Sequence, residues 1–201
     1  MALLFANNNS LSAITTKPSG LSGGSMNLIS TQTASSSSTI SFTSGIDSTY
    51  DEYVFKFYDI HPSGNNTEFD VLFSSNGGSS YGLTKTTTAF YALHNEADST
   101  TTLTYSTGTD LAQSTSAKNL MVNVGDGNDE SGAGTMQLFN PASSVFVKHF
   151  IANVNIYDES AQTVNRYTAG YVNTTSAINA IQFKMSSGNI DSGVIKLYGV
   201  S

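Results

Sequence analysis

From Met26 onward, short runs of alternating apolar and polar residues recur, most of them closed by Gly, Asn, Asp or Ser. That period of two is the signature of half-buried strands punctuated by turns. The clearest run is Tyr53-Val54-Phe55-Lys56-Phe57-Tyr58-Asp59-Ile60, which puts Tyr53, Phe55 and Phe57 on one face and is stopped by Pro62. Others are Ile40 to Phe42, Phe69 to Phe73, Phe90 to Leu93, Leu120 to Val124, Met136 to Phe139, Val145 to Tyr157, Tyr167 to Val172, Ile178 to Met185 and Val194 to Val200. Within Val145 to Tyr157, residues Phe150, Ala152, Val154 and Ile156 share a face. Turn clusters such as Ser63-Gly64-Asn65-Asn66, Asn76-Gly77-Gly78 and Gly125-Asp126-Gly127-Asn128 separate several of the runs. About ten strands result, enough for two packed antiparallel sheets. No segment repeats at a fixed period of about 20 to 50 residues, which argues against a propeller, a solenoid or a β-helix. The Ser- and Thr-rich segment from Ala97 to Ala117 reads as a long exposed loop or an edge hairpin through Leu103 and Tyr105, and contact function is expected there.

Residues 1–25 have a different texture. They are rich in Asn, Ser and Gly, with isolated apolar residues at Leu3, Leu4, Phe5, Leu11 and Ile14. This segment reads as an N-terminal arm, either a frayed end or an extended anchor whose spaced apolar side chains dock on a neighbouring subunit. Residues 26–201 read as one β-sandwich domain, because a chain of 201 residues suits a single all-β core.

Composition agrees with the pattern and narrows the chemistry. Only 11% of the residues are charged, while 10 Tyr and 11 Phe supply strand-forming aromatics. Strong helix formers are too scarce to dress the exposed face of a long helix, so helices should be minor. The formal net charge of -7 sets the chain against phosphate backbones and anionic lipid headgroups; neither nucleic acid nor a membrane is an expected partner. With no cysteine, disulfides, thiolate catalysis and Cys-ligated metals fall away together, as suits a protein made in a reducing cytoplasm. Met1 to Asn7 lacks a positive n-region and a full apolar h-region, and reads as synthesis without a secretory signal.

Two stretches resemble small virion proteins of marine, cyanobacterial-type tailed phages. One is Thr39-Ile40-Ser41-Phe42-Thr43-Ser44-Gly45-Ile46-Asp47-Ser48-Thr49-Tyr50-Asp51-Glu52-Tyr53, leading into the aromatic strand and its Asp59-Ile60-His61-Pro62 stop. The other is the ending Ser192-Gly193-Val194-Ile195-Lys196-Leu197-Tyr198-Gly199-Val200-Ser201. The resemblance implies a jelly-roll-like sandwich on the outside of a virion, assembled in the host cytoplasm. Capsid decoration on the major capsid protein is the first expectation. A tail or fibre component that binds a host receptor or carbohydrate is the second. Neither motif carries chemistry, so no binding residue transfers. Self-association is expected in either role, and a trimer suits both.

Candidate chemistry is sparse. Three histidines, His61, His94 and His149, are the only imidazoles, and no Gly-x-Ser-x-Gly elbow is present, so an enzyme is not expected. Acidic pairs Asp51-Glu52, Asp129-Glu130 and Asp158-Glu159 are sequence neighbours that an extended strand would turn to opposite faces, which weakens them as glycosidase pairs. The turn Gly125-Asp126-Gly127-Asn128-Asp129-Glu130 offers Asp126, Asn128, Asp129 and Glu130 as oxygen ligands for Ca²⁺, although it lacks EF-hand spacing and a solvated acidic turn is the simpler reading. No cofactor is expected. Tyr81, Tyr105, Asn95 and Asn173 are candidates for stacking on and hydrogen-bonding a sugar.

Overall fold

The computed structural model describes residues 26–200, which form twelve strands and no helix. In chain order these are β1 (Asn27–Ser37), β2 (Ile40–Phe42), β3 (Glu52–Pro62), β4 (Thr67–Ser74), β5 (Lys85–Asn95) and β6 (Thr101–Tyr105). They continue as β7 (Lys118–Val124), β8 (Gly132–Phe139), β9 (Lys148–Asp158), β10 (Gln162–Val172), β11 (Ala180–Met185) and β12 (Ile190–Val200). Every strand pairing is antiparallel. The expected arm, with Leu3, Leu4, Phe5, Leu11 and Ile14, lies outside the described residues.

Eight of the strands make the jelly roll. One layer runs β1-β12-β3-β8 and the other β2-β11-β4-β7, and the connections β1 to β2, β3 to β4, β7 to β8 and β11 to β12 each pass from one layer to the other. The closing run of the sequence thus becomes an interior strand, with β12 seated between β1 and β3. The other four strands extend the first layer past β8 in the order β9-β10-β5-β6. The layers meet at one corner, where Val124 of β7 pairs with Asp158 of β9.

Alternation places the core. Tyr53, Phe55 and Phe57 of β3 and Phe150, Ala152, Val154 and Ile156 of β9 are all buried, as their shared faces predict. They face Phe69, Val71 and Phe73 of β4 and Phe183 of β11. Phe183 is the hub: its ring lies 5.3 Å from Phe55 and from Phe57, 5.6 Å from Phe69 and 6.3 Å from Phe42. Each such ring removed from water contributes roughly 1.5–3 kcal/mol, and the mostly edge-to-face contacts add to that. A bulge breaks the β3 ladder at Asp59, whose φ is 50°, and the facing β12 strand accommodates it at Gly193. Gly193 has φ +127°, and a Cβ there would come within 2.8 Å of the Asp59 carbonyl oxygen, so no other residue fits without a shift.

Some expectations need correction. Twelve strands form where the pattern suggested about ten. Strand β1 escaped because it is an edge strand with only Ala34 buried, so it carries no apolar alternation. Strand β10 begins at Gln162, well before the apolar run at Tyr167. Val145 and Phe146, read as the start of a strand, instead precede it and are 68% exposed. The Ser/Thr-rich segment does contain the edge hairpin, with β6 paired to β5 from Phe90↔Tyr105 to His94↔Thr101.

Candidate functional site

The four-stranded extension has two usable faces. Register fixes its outer face: Asn153, Tyr167, Phe90 and Tyr105 form one row across β9, β10, β5 and β6. Beside it run Ile151, Ala169 and Thr88 on one flank and Asn155, Asn165, Ala92 and Leu103 on the other. The rings of Phe90 and Tyr167 stack at 5.0 Å and 9°. Phe90, Tyr167, Tyr105 and Ile151 are each 41–48% exposed, so aromatic surface faces solvent with no charged side chain in these rows. Beside them Asn165 donates to Asn153 at 3.0 Å, and Asn155 donates to Thr163 at 2.8 Å. A shallow groove of about 480 Å³ follows, bordered by Thr86, Thr88, His149, Ile151, Ala169 and Tyr171.

The inner face of the same extension is polar. Thr87, Arg166 and Thr168 are buried there, and the segment 106–117 folds beneath it. Arg166 donates to Ser106 Oγ and to Thr109 Oγ1, while Lys118 Nζ donates to the Thr109 carbonyl. Lys85 Nζ donates to the Leu83 carbonyl at 3.1 Å, and Lys148 Nζ to Phe146 and Thr174 at 2.8 and 3.2 Å. Half of the chain's eight cations, Lys85, Lys118, Lys148 and Arg166, are therefore buried against neutral oxygens. Among the described residues the one ion pair is the exposed His94–Asp98 contact at 3.0 Å. Uncompensated burial disfavours the charged form: desolvation pulls Lys85 and Lys118 down to about 8 and lowers Lys148 and Arg166 as well.

A cavity of about 280 Å³ opens where the extension overhangs β7. Arg166, Tyr91 and Ser106 line it from the extension, Val122 and Asn123 from β7, and Asp158, Ser160 and Gln162 from the β9-to-β10 turn. Asn123 sits at a bulge in β7 with φ 58°. The two buried polar side-chain atoms without a partner among the described residues are Arg166 Nε and Thr168 Oγ1, both on the inner face of β10.

The residues singled out from sequence are dispersed. Of the sugar candidates, Tyr105 joins the outer row, its hydroxyl donating to Asp110 at 2.8 Å. Asn173 reaches the edge of that face through Gln113, which also meets Thr86 and Tyr171. Asn95 is occupied in its own turn, accepting from the Ser99 and Thr100 amides, and Tyr81 packs beside Gly78 elsewhere. In the acidic turn, Glu130 folds back to accept from the Gly127 amide at 2.7 Å, and the Asp126 amide donates to Asn65 at 3.4 Å. Among the described residues no three His, Asp or Glu side chains are grouped as metal ligands. His61 Nδ1 lies 2.7 Å from the Glu130 carbonyl, and His149 is an exposed strand residue whose ring sits 6.3 Å from that of Tyr171. Of the acidic pairs, Glu52 accepts from Gln137 at 2.8 Å, and Asp158 Oδ1 accepts from the Ser160 and Gln162 amides at 3.0 and 3.1 Å.

Tyr167, Phe90 and Arg166 were not singled out from sequence. Strand β5 is apolar on both faces at Phe90-Tyr91-Ala92-Leu93, so its pattern does not say which ring turns outward, and a lone Arg reads as a surface charge. Comparison of the chain with protein-family models, with curated proteins and with solved structures finds no match.

Proposed function

We propose that this chain is a non-enzymatic structural protein of a tailed-phage virion surface, first of all a capsid decoration protein that self-associates as a trimer. The observation that carries the reading is the uncharged aromatic outer face of the β9-β10-β5-β6 extension, built on a jelly-roll frame. An exposed apolar sheet face is costly for a free monomer and useful to a subunit that covers it on assembly. The two phage-like segments of the sequence supply the context. The histidine contacts suit structural residues: His61 meets the Glu130 carbonyl, His94 the exposed Asp98 and His149 the edge of the Tyr171 ring. Protein identification on purified particles is the test: the chain should co-purify in stoichiometric amount, and its absence from particles while abundant in the lysate would end the proposal.

A second reading, a tail component that binds carbohydrate, is favoured by the half-exposed Phe90 and Tyr167 rings, flanked by Asn153 and Asn165. Stacked rings beside amides match the apolar faces and hydroxyl edges of a sugar. Saturable binding on a glycan array favours this reading, and none favours decoration.

A further inference from the structure

We propose that the cavity beneath the extension is a binding site for one acidic sugar unit, a small polyhydroxylated carboxylate whose charge is met by Arg166. This site is separate from the outer aromatic face and does not depend on the role assigned to that face. Arg166 is 97% buried and forms no ion pair, and its Nε has no partner among the described residues. Water screens such a cation weakly, and with Lys118 close behind it the positive charge exceeds that of the one carboxylate in the wall, Asp158, so the field in the adjoining cavity favours an anion. Lys118, joined to Arg166 through Thr109, adds positive charge behind the wall.

The remaining walls define the rest of the ligand. The Tyr91 hydroxyl, the Asn123 and Gln162 amides and the Ser160 hydroxyl make no side-chain hydrogen bond among the described residues, and all four residues line this one space. Asp158 commits one carboxylate oxygen to two backbone amides and leaves the other for a hydroxyl donor. Leu93, Val122 and Val164 give the same cavity an apolar side, as the C–H face of a sugar ring requires. At about 280 Å³ the space is below the ~300–1,000 Å³ of sites for drug-sized ligands, which fits a single ring and not a chain of them. A bare inorganic anion would satisfy Arg166 but leave the amides and Asp158 unused.

Binding to the purified chain should be followed by calorimetry and by NMR shift mapping. Probes are galacturonate and N-acetylneuraminate, with galactose, galacturonate methyl ester and sulfate as controls. Either acid should bind at least about tenfold tighter than the neutral sugars and sulfate, corresponding to ~1.4 kcal/mol for the charge contact. Shifts should map to 122–123, 158–162 and 166. Arg166→Gln should abolish the preference; because Arg166 also holds Thr109, Gln162→Ala and Asn123→Gly serve as rim variants, the glycine accepting the positive φ of Asn123. With melting temperature unchanged, each rim variant should weaken galacturonate binding about three- to tenfold. No binding by either acid, equal binding of galactose, sulfate binding as tightly as the acids (an adventitious ion only), or rim variants that bind as the parent would each overturn the site.

Discussion

Raising the pH above neutrality should stabilise this protein, and the buried lysines set by how much. Lys85 and Lys118 are fully buried against carbonyl oxygens, and desolvation brings both from 10.5 down to about 8. Protonation therefore favours the unfolded chain. Below about pH 8 both states hold the proton and the whole penalty is present; between about pH 8 and 10.5 the folded state releases it first, so stability rises. The gap from 10.5 to about 8 corresponds to ~3 kcal/mol per lysine, of which ~2 kcal/mol should be recovered between about pH 7.5 and 9.5. Lys148 shifts in the same direction. Asp70, pushed up to about 6 by desolvation, works in a lower window: its stabilisation is lost as pH rises from about 4 to 6, and it is spent before the lysine window opens. Urea unfolding followed by far-UV circular dichroism at steps through this range measures the slope. Lys85→Met and Lys118→Met should each remove a large part of it, the remainder after both being the share of Lys148. A flat or falling profile in the parent chain, or variants that keep the full slope, would refute the assignment of these lysines as buried and charged at neutral pH.

Phe183→Ala removes the ring shared by both layers and should cost about 4 kcal/mol, lowering the melting temperature by roughly 8–16 °C in a scanning calorimeter. The double variant Phe90→Ala, Tyr167→Ala acts on half-exposed rings; its melting temperature should stay within a few degrees of the parent while incorporation into particles, or glycan binding, is lost. Deleting residues 1–24 should leave the circular dichroism spectrum of the sandwich unchanged and abolish incorporation in a particle-assembly assay. Normal incorporation would rule out the anchor.

The sandwich core was legible because period-2 patterning is strongest where one strand face is fully buried. Tyr53, Phe55 and Phe57 in β3 and Phe150 to Ile156 in β9 show it plainly. Patterning failed where burial is not apolar. Strand β1 presents Ser and Thr along a sheet edge, and the first half of β10 buries Arg166 where a hydrophobic residue would have marked the strand. The interior cations were illegible for the same reason: Lys85, Lys118 and Lys148 each stand at the first residue of a strand, where a sequence reader places a solvated charge. The two candidate faces depend on a choice the local sequence does not make. Both Phe90 and Tyr91 suit a strand interior, and only the register against Tyr167 and Arg166 turns Phe90 outward and Tyr91 into the cavity. Tyr105 was within reach because a Ser/Thr-rich segment has few other apolar residues.

Imaging of intact phage particles at a resolution that traces strands should show the proposed location outright. The jelly roll should lie on the outer surface of the virion, with Phe90, Tyr105 and Tyr167 of the extension covered by a neighbouring subunit. Density for the chain inside the capsid, or particles complete without it, would contradict the claim.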